Sequence, residues 1–220
     1  MPVYVLIPAH NEAETIGRVV RGCLVHGHKV IVIDDHCTDG TAESARLAGA
    51  EVWNHRGMRG KASGLRWGWK RLAEDPGWTH LLLLDGDGQH DPRQIPDLLA
   101  LAPGCDLVIG SRAPFQDPMP RVRRWVNSTM SWLLSQRTGW AIPDSQSGFR
   151  IVSRRLIERG RWTSCAFELE SEMILQAWQL GYTFACCPID CRYGGRSSHI
   201  QPWADTWRWL LWWGRSARQS

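Results

Sequence analysis

Apolar residues fall along the chain in two alternating patterns. Runs that are apolar at nearly every position predict strands buried on both faces: "VYVLI" (Val3–Ile7), "KVIVI" (Lys29–Ile33), "HLLLL" (His80–Leu84) and "DLVIG" (Asp106–Gly110). "EVW", from Glu51, predicts a shorter one. Between these runs the apolar positions recur at helical spacing. Ile16, Val19, Val20, Cys23 and Leu24 precede a stop at Gly27, and "TAESARLAG" ends at Gly49. A third helix is predicted over about residues 61–74, and a fourth runs from the Asp91-Pro92 cap to Leu101. Asn11, with Glu14 three residues on, is the expected reciprocal cap of the first helix.

Strands of this kind, each followed by a helix, predict an α/β fold with a mainly parallel sheet flanked by helices on both faces. Ligands of such sheets bind beyond the carboxyl ends of the strands. The segments after three strands are "PAHNE", "DDHCTD" and "DGDGQHD". One rim is therefore expected to gather Glu12, Asp34, Asp35, Asp39, Asp85, Asp87 and Asp91.

The second part is less regular. A helix is predicted over Val122–Gln136 and a loop over "PDSQSGFR" (Pro143–Arg150). "FELESEMILQAWQLG" (Phe167–Gly181) predicts a helix, "TFACCPI" a strand and "RYGGRSSH" (Arg192–His199) a loop, before a Trp-rich helix over 200–220. No repeat or low-complexity linker divides the chain, so a single domain over 1–220 is expected.

Composition narrows the chemistry. The chain has 220 residues, enough for one real core, and its net charge of +4 gives no sign of a nucleic-acid partner. Lysine stands only at Lys29, Lys61 and Lys70; every later cation is arginine. Guanidinium forks match phosphate oxygens, so a phosphate-bearing substrate fits this usage, as does a bias in the gene's base composition. The seven cysteines form no C-x-x-C pair and read as reduced, packed thiols of a cytosolic protein. "MPVYVLIPAHNE" has no basic start, and no apolar run approaches a membrane span, so a cytoplasmic location is expected.

Asp85 and Asp87 end a buried run one residue apart and repel each other. A glycine-rich turn lets both converge on a hard divalent cation, Mg²⁺ or Mn²⁺, with Gln89 as a third oxygen ligand. Gly86 and Gly88 leave room for a diphosphate to approach the backbone. Asp91 needs no such explanation, since it caps the next helix.

Six segments, "VLIPAHNEAETI", "VIVIDDHCTDGT", "GKASG", "LLLLDGDGQHDP", "DLVIGSR" and "DSQSGFR", stand in the order and spacing of family 2 glycosyltransferases. The chain most resembles the dolichol-phosphate (polyprenyl-phosphate) mannosyltransferase branch, over nearly its whole length. The resemblance implies a GT-A fold, a nucleotide-sugar donor (GDP- or UDP-linked), a divalent metal and inversion at the sugar carbon. By position, Pro8, His10, Glu12, Ile33, Asp35, Asp85 and Gly86 would bind the nucleotide, with Asp35 on the base. Asp85, Asp87 and Gln89 would hold the metal; Asp87 and Arg112 would act on the leaving diphosphate. Arg123 and Asn127 fall where relatives hold the acceptor phosphate with arginine and serine. Arg192 or Arg196, and His199 at a position relatives fill with lysine, would complete the acceptor site. His36-Cys37 replaces a small pair after the double aspartate.

A polyprenyl phosphate acceptor is already anionic and needs no general base; positioning and charge stabilisation suffice. A hydroxyl acceptor would need one, and Asp144, Glu168, Glu170 and Glu172 are the candidates. At least two of these glutamates read more simply as an exposed helix face. In the tail, Trp203, Trp207, Leu210 and Leu211 share a helical face, which suits either core packing or peripheral contact with the cytoplasmic face of a membrane through Trp203–Trp213. A non-catalytic membrane-docking homologue is the alternative, and intact Asp85, Asp87 and Gln89 argue against it. "LLLLDGDG" also fits a haloacid dehalogenase phosphatase, but no lysine follows Lys70. "RGMRGKAS" fails the P-loop pattern at His55 and Ala62.

Overall fold

The apolar runs become strands and the amphipathic segments cover them. The computed structural model describes residues 1–112, 121–164, 166, 168–191 and 202–216, with backbone alone at 121, 123 and 202–207. The strands are β1 (Val3–Ala9), β2 (Lys29–Asp35), β3 (Glu51–His55), β4 (His80–Leu83), β5 (Leu107–Ser111), β6 (Arg150–Ser153) and β7 (Phe184–Pro188). They form one sheet in the order β3-β2-β1-β4-β6-β5-β7. Only β6 runs against its neighbours, β4 and β5. The sheet is thus mainly parallel, as expected.

The helices are α1 (Ile16–Leu24), α2 (Thr41–Leu47), α3 (Lys61–Leu72), α4 (Ile95–Leu101), α5 (Arg121–Thr138), α6 (Arg154–Arg159), α7 (Glu168–Gln179) and α8 (Pro202–Ser216). Successive strand residues point to opposite faces, so each strand feeds two cores. Leu6, Ile31, Ile33 and Leu83 pack with Leu65 of α3, Leu134 of α5 and Met173 of α7. Val5, Ile7, Val32 and Leu82 pack with Ile16 and Val20 of α1, Ala45 of α2 and Leu98 of α4. Each aliphatic side chain so buried contributes about 1.5–3 kcal/mol.

From β1 the chain steps outward to β2 and β3, then crosses to β4 on the other side of β1. That reversal opens a crevice at the carboxyl ends of β1 and β4, where a ligand is expected to bind. Register keeps the rim level: Leu6 pairs with Leu83, Ala9 with Asp34 and Asp35 with His55.

Three local expectations change. The loop over Pro143–Arg150 ends in an unforeseen strand, β6, followed by α6. Asn11 does not cap α1, which begins only at Ile16. Its backbone is left-handed (φ 56°), and its side-chain oxygen accepts from Thr38 N at 2.9 Å, tying the β1 loop to the β2 loop. Asp91 does cap, accepting from Arg93 N at 3.0 Å. Glu168, Glu170 and Glu172 are buried rather than exposed, because α7 packs between the sheet, α5 and α8.

The tail also packs on the core. Trp209 is 2% exposed, donates to Ser171 Oγ at 2.8 Å and stacks on Trp213 at 5.3 Å. Leu210 and Leu211 are exposed, while the side chains of Trp203 and Trp207 lie outside the described residues. No described helix is long and apolar enough to cross a membrane. The six described cysteines are free thiols.

Candidate active site in the crevice between β1 and β4

The crevice floor is charged. Asp85, just beyond β4, takes Lys61 Nζ at 2.6 Å, and the same ammonium reaches Glu170 Oε1 at 3.0 Å. Lys61 opens α3 and Glu170 lies in the first turn of α7, so one cation ties two helices to the end of β4. Burial disfavours its charge, but Asp85 and then Glu170 outweigh this and raise its pKa. Gly148 makes the pair possible: a Cβ there would lie 2.7 Å from Lys61 Nζ and closer still to Asp85. Pro8, Lys61, Asp85, Gly148, Arg150 and Glu170 line one recess.

Asp85 and Asp87 titrate in opposite directions. Burial works against ionised Asp85, yet Lys61, His90 and Arg112 together hold its pKa low. For Asp87 the balance falls the other way. Burial, then the charge of Asp85, pushes it up to about 6, and Glu12 adds to the effect, while the Gln89 backbone N–H and Lys61 oppose the rise only in part. Gln89 follows in the same turn, its backbone N donating to Asp87 Oδ1 at 3.0 Å. A hard divalent cation fits this observation. The donors are carboxylate oxygens, and a bound cation would offset the burial and repulsion that raise the Asp87 pKa.

Around this pair the rim loops lock together. Thr15 Oγ donates to Gly86 O at 2.7 Å, and the Glu12 backbone N donates to Thr41 Oγ at 2.7 Å. A Cβ on Gly86 would meet Ile16 Cδ1 at 3.2 Å and Ala9 Cβ at 3.4 Å, so glycine is needed there for packing as well as for approach to the backbone. Gly88 holds a left-handed φ of 73°. His90 is 4% exposed beside the Phe149 ring, and burial lowers its pKa to about 4.

On the β2 side, Pro8 and Ile33 are register partners in the buried floor. His10 Nδ1 donates to the Asp35 carbonyl at 2.7 Å. The Asp35 carboxylate is 4% exposed and accepts from His55 Nδ1 at 3.1 Å and Gly60 N at 2.8 Å.

Beyond β5, Arg112 is gripped by Asp144. Its Nε lies 2.7 Å from Oδ2, its Nη2 3.0 Å from Oδ1, and its backbone N 3.1 Å from Oδ2. Asn127 is buried on α5. Arg123 is described by its backbone alone, and Arg192, Arg196 and His199 lie outside the described residues. Glu172 accepts from Thr163 N at 2.9 Å and Ser164 N at 3.1 Å.

Sequence reasoning named Asp85 but missed Lys61 and Arg150, and it raised Glu170 only as a base. Arg150 is wholly buried and donates to three carbonyls: Ser147 O at 2.6 Å, Ser145 O at 2.6 Å and Glu170 O at 2.5 Å. It thereby fixes the loop carrying Gly148 and the turn carrying Glu170. Burial lowers its pKa to about 10. One signal for Lys61 was present: it is one of the few lysines, and it stands at a helix start.

Comparison with known proteins agrees with this geometry. A family model described as glycosyl transferase family 2 matches residues 4–161. Undecaprenyl-phosphate mannosyltransferase of Micrococcus luteus is 31% identical over 211 residues, covering 86% of this chain and 83% of that protein. Polyprenol monophosphomannose synthase of Mycolicibacterium smegmatis is 32% identical over 177 residues, covering 70% and 63%. The crystal structure of Mycobacterium tuberculosis glucosyl-3-phosphoglycerate synthase with Mn²⁺, uridine diphosphate and phosphoglyceric acid has a TM-score of 0.76 at 22% identity. It covers 95% of this chain and 76% of that one, and the likeness is one of fold, GT-A.

Proposed function

The chain belongs to glycosyl transferase family 2, and from that premise we propose that it moves a sugar from a GDP- or UDP-linked donor to a polyprenyl phosphate. Asp85, Asp87 and Gln89 would hold Mg²⁺ or Mn²⁺. When bound, that ion supplies charge neutralisation for the departing diphosphate. Pro8, His10, Glu12, Ile33, Asp35 and Gly86 would form the nucleotide wall. Arg112, immobilised by Asp144, would present a fixed positive charge to phosphate. Asn127 and Arg123 on α5, with Arg192, Arg196 and His199, would receive the acceptor.

One observation carries this reading: three of the four carboxylates named for general-base work already have partners. Asp144 grips Arg112, Glu170 binds Lys61, and Glu172 accepts two backbone N–H groups. A hydroxyl acceptor would need one of these three released, or Glu168 as its base, whereas an anionic phosphate oxygen attacks without a base. Asp87, by contrast, is left short of positive charge at the metal position.

A lipid-linked acceptor calls for a membrane-facing surface. Val122, Trp125 and Trp132 form an exposed stripe on α5, opposite buried Asn127, Met130 and Leu134. Trp125 and Trp132 are 70% and 59% exposed, so they suit the interface better than Trp209, which packs inward. We assign the peripheral contact to this stripe.

The test is a thermal-shift panel of nucleotide sugars with Mn²⁺, followed by transfer of labelled sugar to polyprenyl phosphate in detergent. One base should raise the melting temperature strongly, by mass action, and the label should move to the lipid phase. Transfer to free sugar hydroxyls with none to polyprenyl phosphate would overturn the acceptor assignment.

A further inference from the structure

His36 is the feature that nucleotide binding does not explain. It is exposed and adopts a left-handed backbone (φ 60°) that non-glycine residues seldom hold without cause. That conformation turns its ring back over the end of β3. The ring centroid lies 5.9 Å from that of His55, edge to face, and Nε2 donates to Gly57 O at 2.9 Å.

The neighbouring groups complete a ligand set. One nitrogen from each ring and one Asp35 carboxylate oxygen lie within 4.8 Å of one another. Two of the three are aimed by an outer partner: the Gly57 carbonyl for His36, and Gly60 N for Asp35. Outer hydrogen bonds of this kind fix the ring tautomer and orient metal ligands. Asp35 and His55 are 4% and 3% exposed, so two ligands sit in a rigid floor and the third, His36, closes from the solvent side. Ligands on one tetrahedral ion with bonds of 2.0–2.1 Å lie about 3.3 Å apart, a separation that rotation of His36 can supply.

We propose that Asp35, His36 and His55 form a second cation site, selective for zinc-like transition ions and distinct from the all-oxygen Asp85–Asp87–Gln89 set. Imidazole favours Zn²⁺, Co²⁺ or Ni²⁺, whereas carboxylate and amide oxygens favour Mg²⁺ or Mn²⁺, so the two sites sort cations by softness. Zinc at this triad draws the Asp35 carboxylate away from the donor's base and competes with nucleotide-sugar binding. The site stands apart from the sugar-transfer reading; the competition rests on it.

Cobalt(II) reports the site directly. Tag-free, chelator-stripped full chain should develop the visible bands of tetrahedral cobalt at one equivalent, and zinc should bleach them. His36→Ala, at an exposed position, should weaken cobalt binding at least about tenfold. The same variant should keep the Mn²⁺-supported donor thermal shift yet lose its sensitivity to zinc. Wild-type protein without cobalt bands, or a His36→Ala variant that titrates like wild type, would overturn the proposal. Intact bands that vanish in His36→Ala, with no donor binding at all, would uphold the site and count against the sugar-transfer reading alone.

Discussion

Asp106 and Asp87 sit at opposite strand ends of the same sheet, and their surroundings move them in opposite directions. Asp106 immediately precedes β5 and is 1% exposed. Burial raises its pKa, but bonds from Arg155, Ser153 and Thr183 outweigh that and hold it at about 2. Arg155 forks onto it, Ser153 Oγ donates at 2.7 Å, and Thr183 N donates at 3.1 Å. These partners come from α6, the end of β6 and the residue before β7, so one carboxylate fastens three elements. Asp87, beyond β4, is raised to about 6 because burial and Asp85 outweigh the Gln89 backbone N–H and Lys61. A structural carboxylate is complete within the fold. A functional one is left incomplete, and the deficit points to what it binds.

Replacing each aspartate should break the comparison in a different way. Asp87→Asn is expected to lower sugar transfer about a thousandfold, the several kcal/mol that a metal-assisted leaving group supplies. Its metal-free melting temperature should hold or rise, since the repulsion with Asp85 is gone. Activity that survives Asp87→Asn would remove the metal assignment. Asp106→Ala should do the reverse. It leaves Arg155 and Thr183 unanswered and should cost about 2–4 kcal/mol of stability in urea unfolding. Activity per folded molecule should be kept.

The pH response sharpens the contrast. Asp106 has a folded pKa below its ordinary value of 3.8, so its contribution is full above about 4 and is lost as pH falls toward about 2. Asp87 has a folded pKa above 3.8, so the metal-free protein loses stability as pH rises from about 4 to about 6. Mn²⁺ should restore that loss only above about 6, where Asp87 is ionised. Melting temperature against pH, in chelator and in Mn²⁺, should show the two curves parting near that value. Curves that stay parallel down to pH 4 would mean that Asp87 does not bind the ion.

What the sequence disclosed follows the same divide. β1, β2, β4 and β5 were legible because strands covered on both faces are apolar nearly throughout. β6 was not, because it is short and opens with Arg150, a charge that fits neither the alternating nor the all-apolar template. Three carbonyls from distant segments satisfy it, and no local pattern announces them. Asn11 matched a cap by spacing, but its side chain bonds across to Thr38, outside any window around α1. Asp85 and Asp87 could be picked out together as a candidate pair because both lie in one turn. The cluster of Lys61, Asp85, Gly148 and Glu170 could not, because it exists only once α3, β4, the loop before β6 and α7 meet.

The smallest effect on the fold should come from the outer face of α5. Trp125 and Trp132 are exposed, so Trp125→Ser with Trp132→Ser should shift stability by no more than about 0.5 kcal/mol per site. Transfer to a water-soluble short-chain polyprenyl phosphate should be unchanged, because Asp85, Asp87 and Arg112 are untouched. Sedimentation with anionic liposomes should fall, and with it transfer to a long-chain acceptor embedded in them. Trp209→Ser separates the two tryptophan environments. Trp209 is buried against Ser171 and Trp213, so its loss should lower the melting temperature. Liposome binding that persists in the α5 variant and disappears only with α8 would return the membrane contact to the tail.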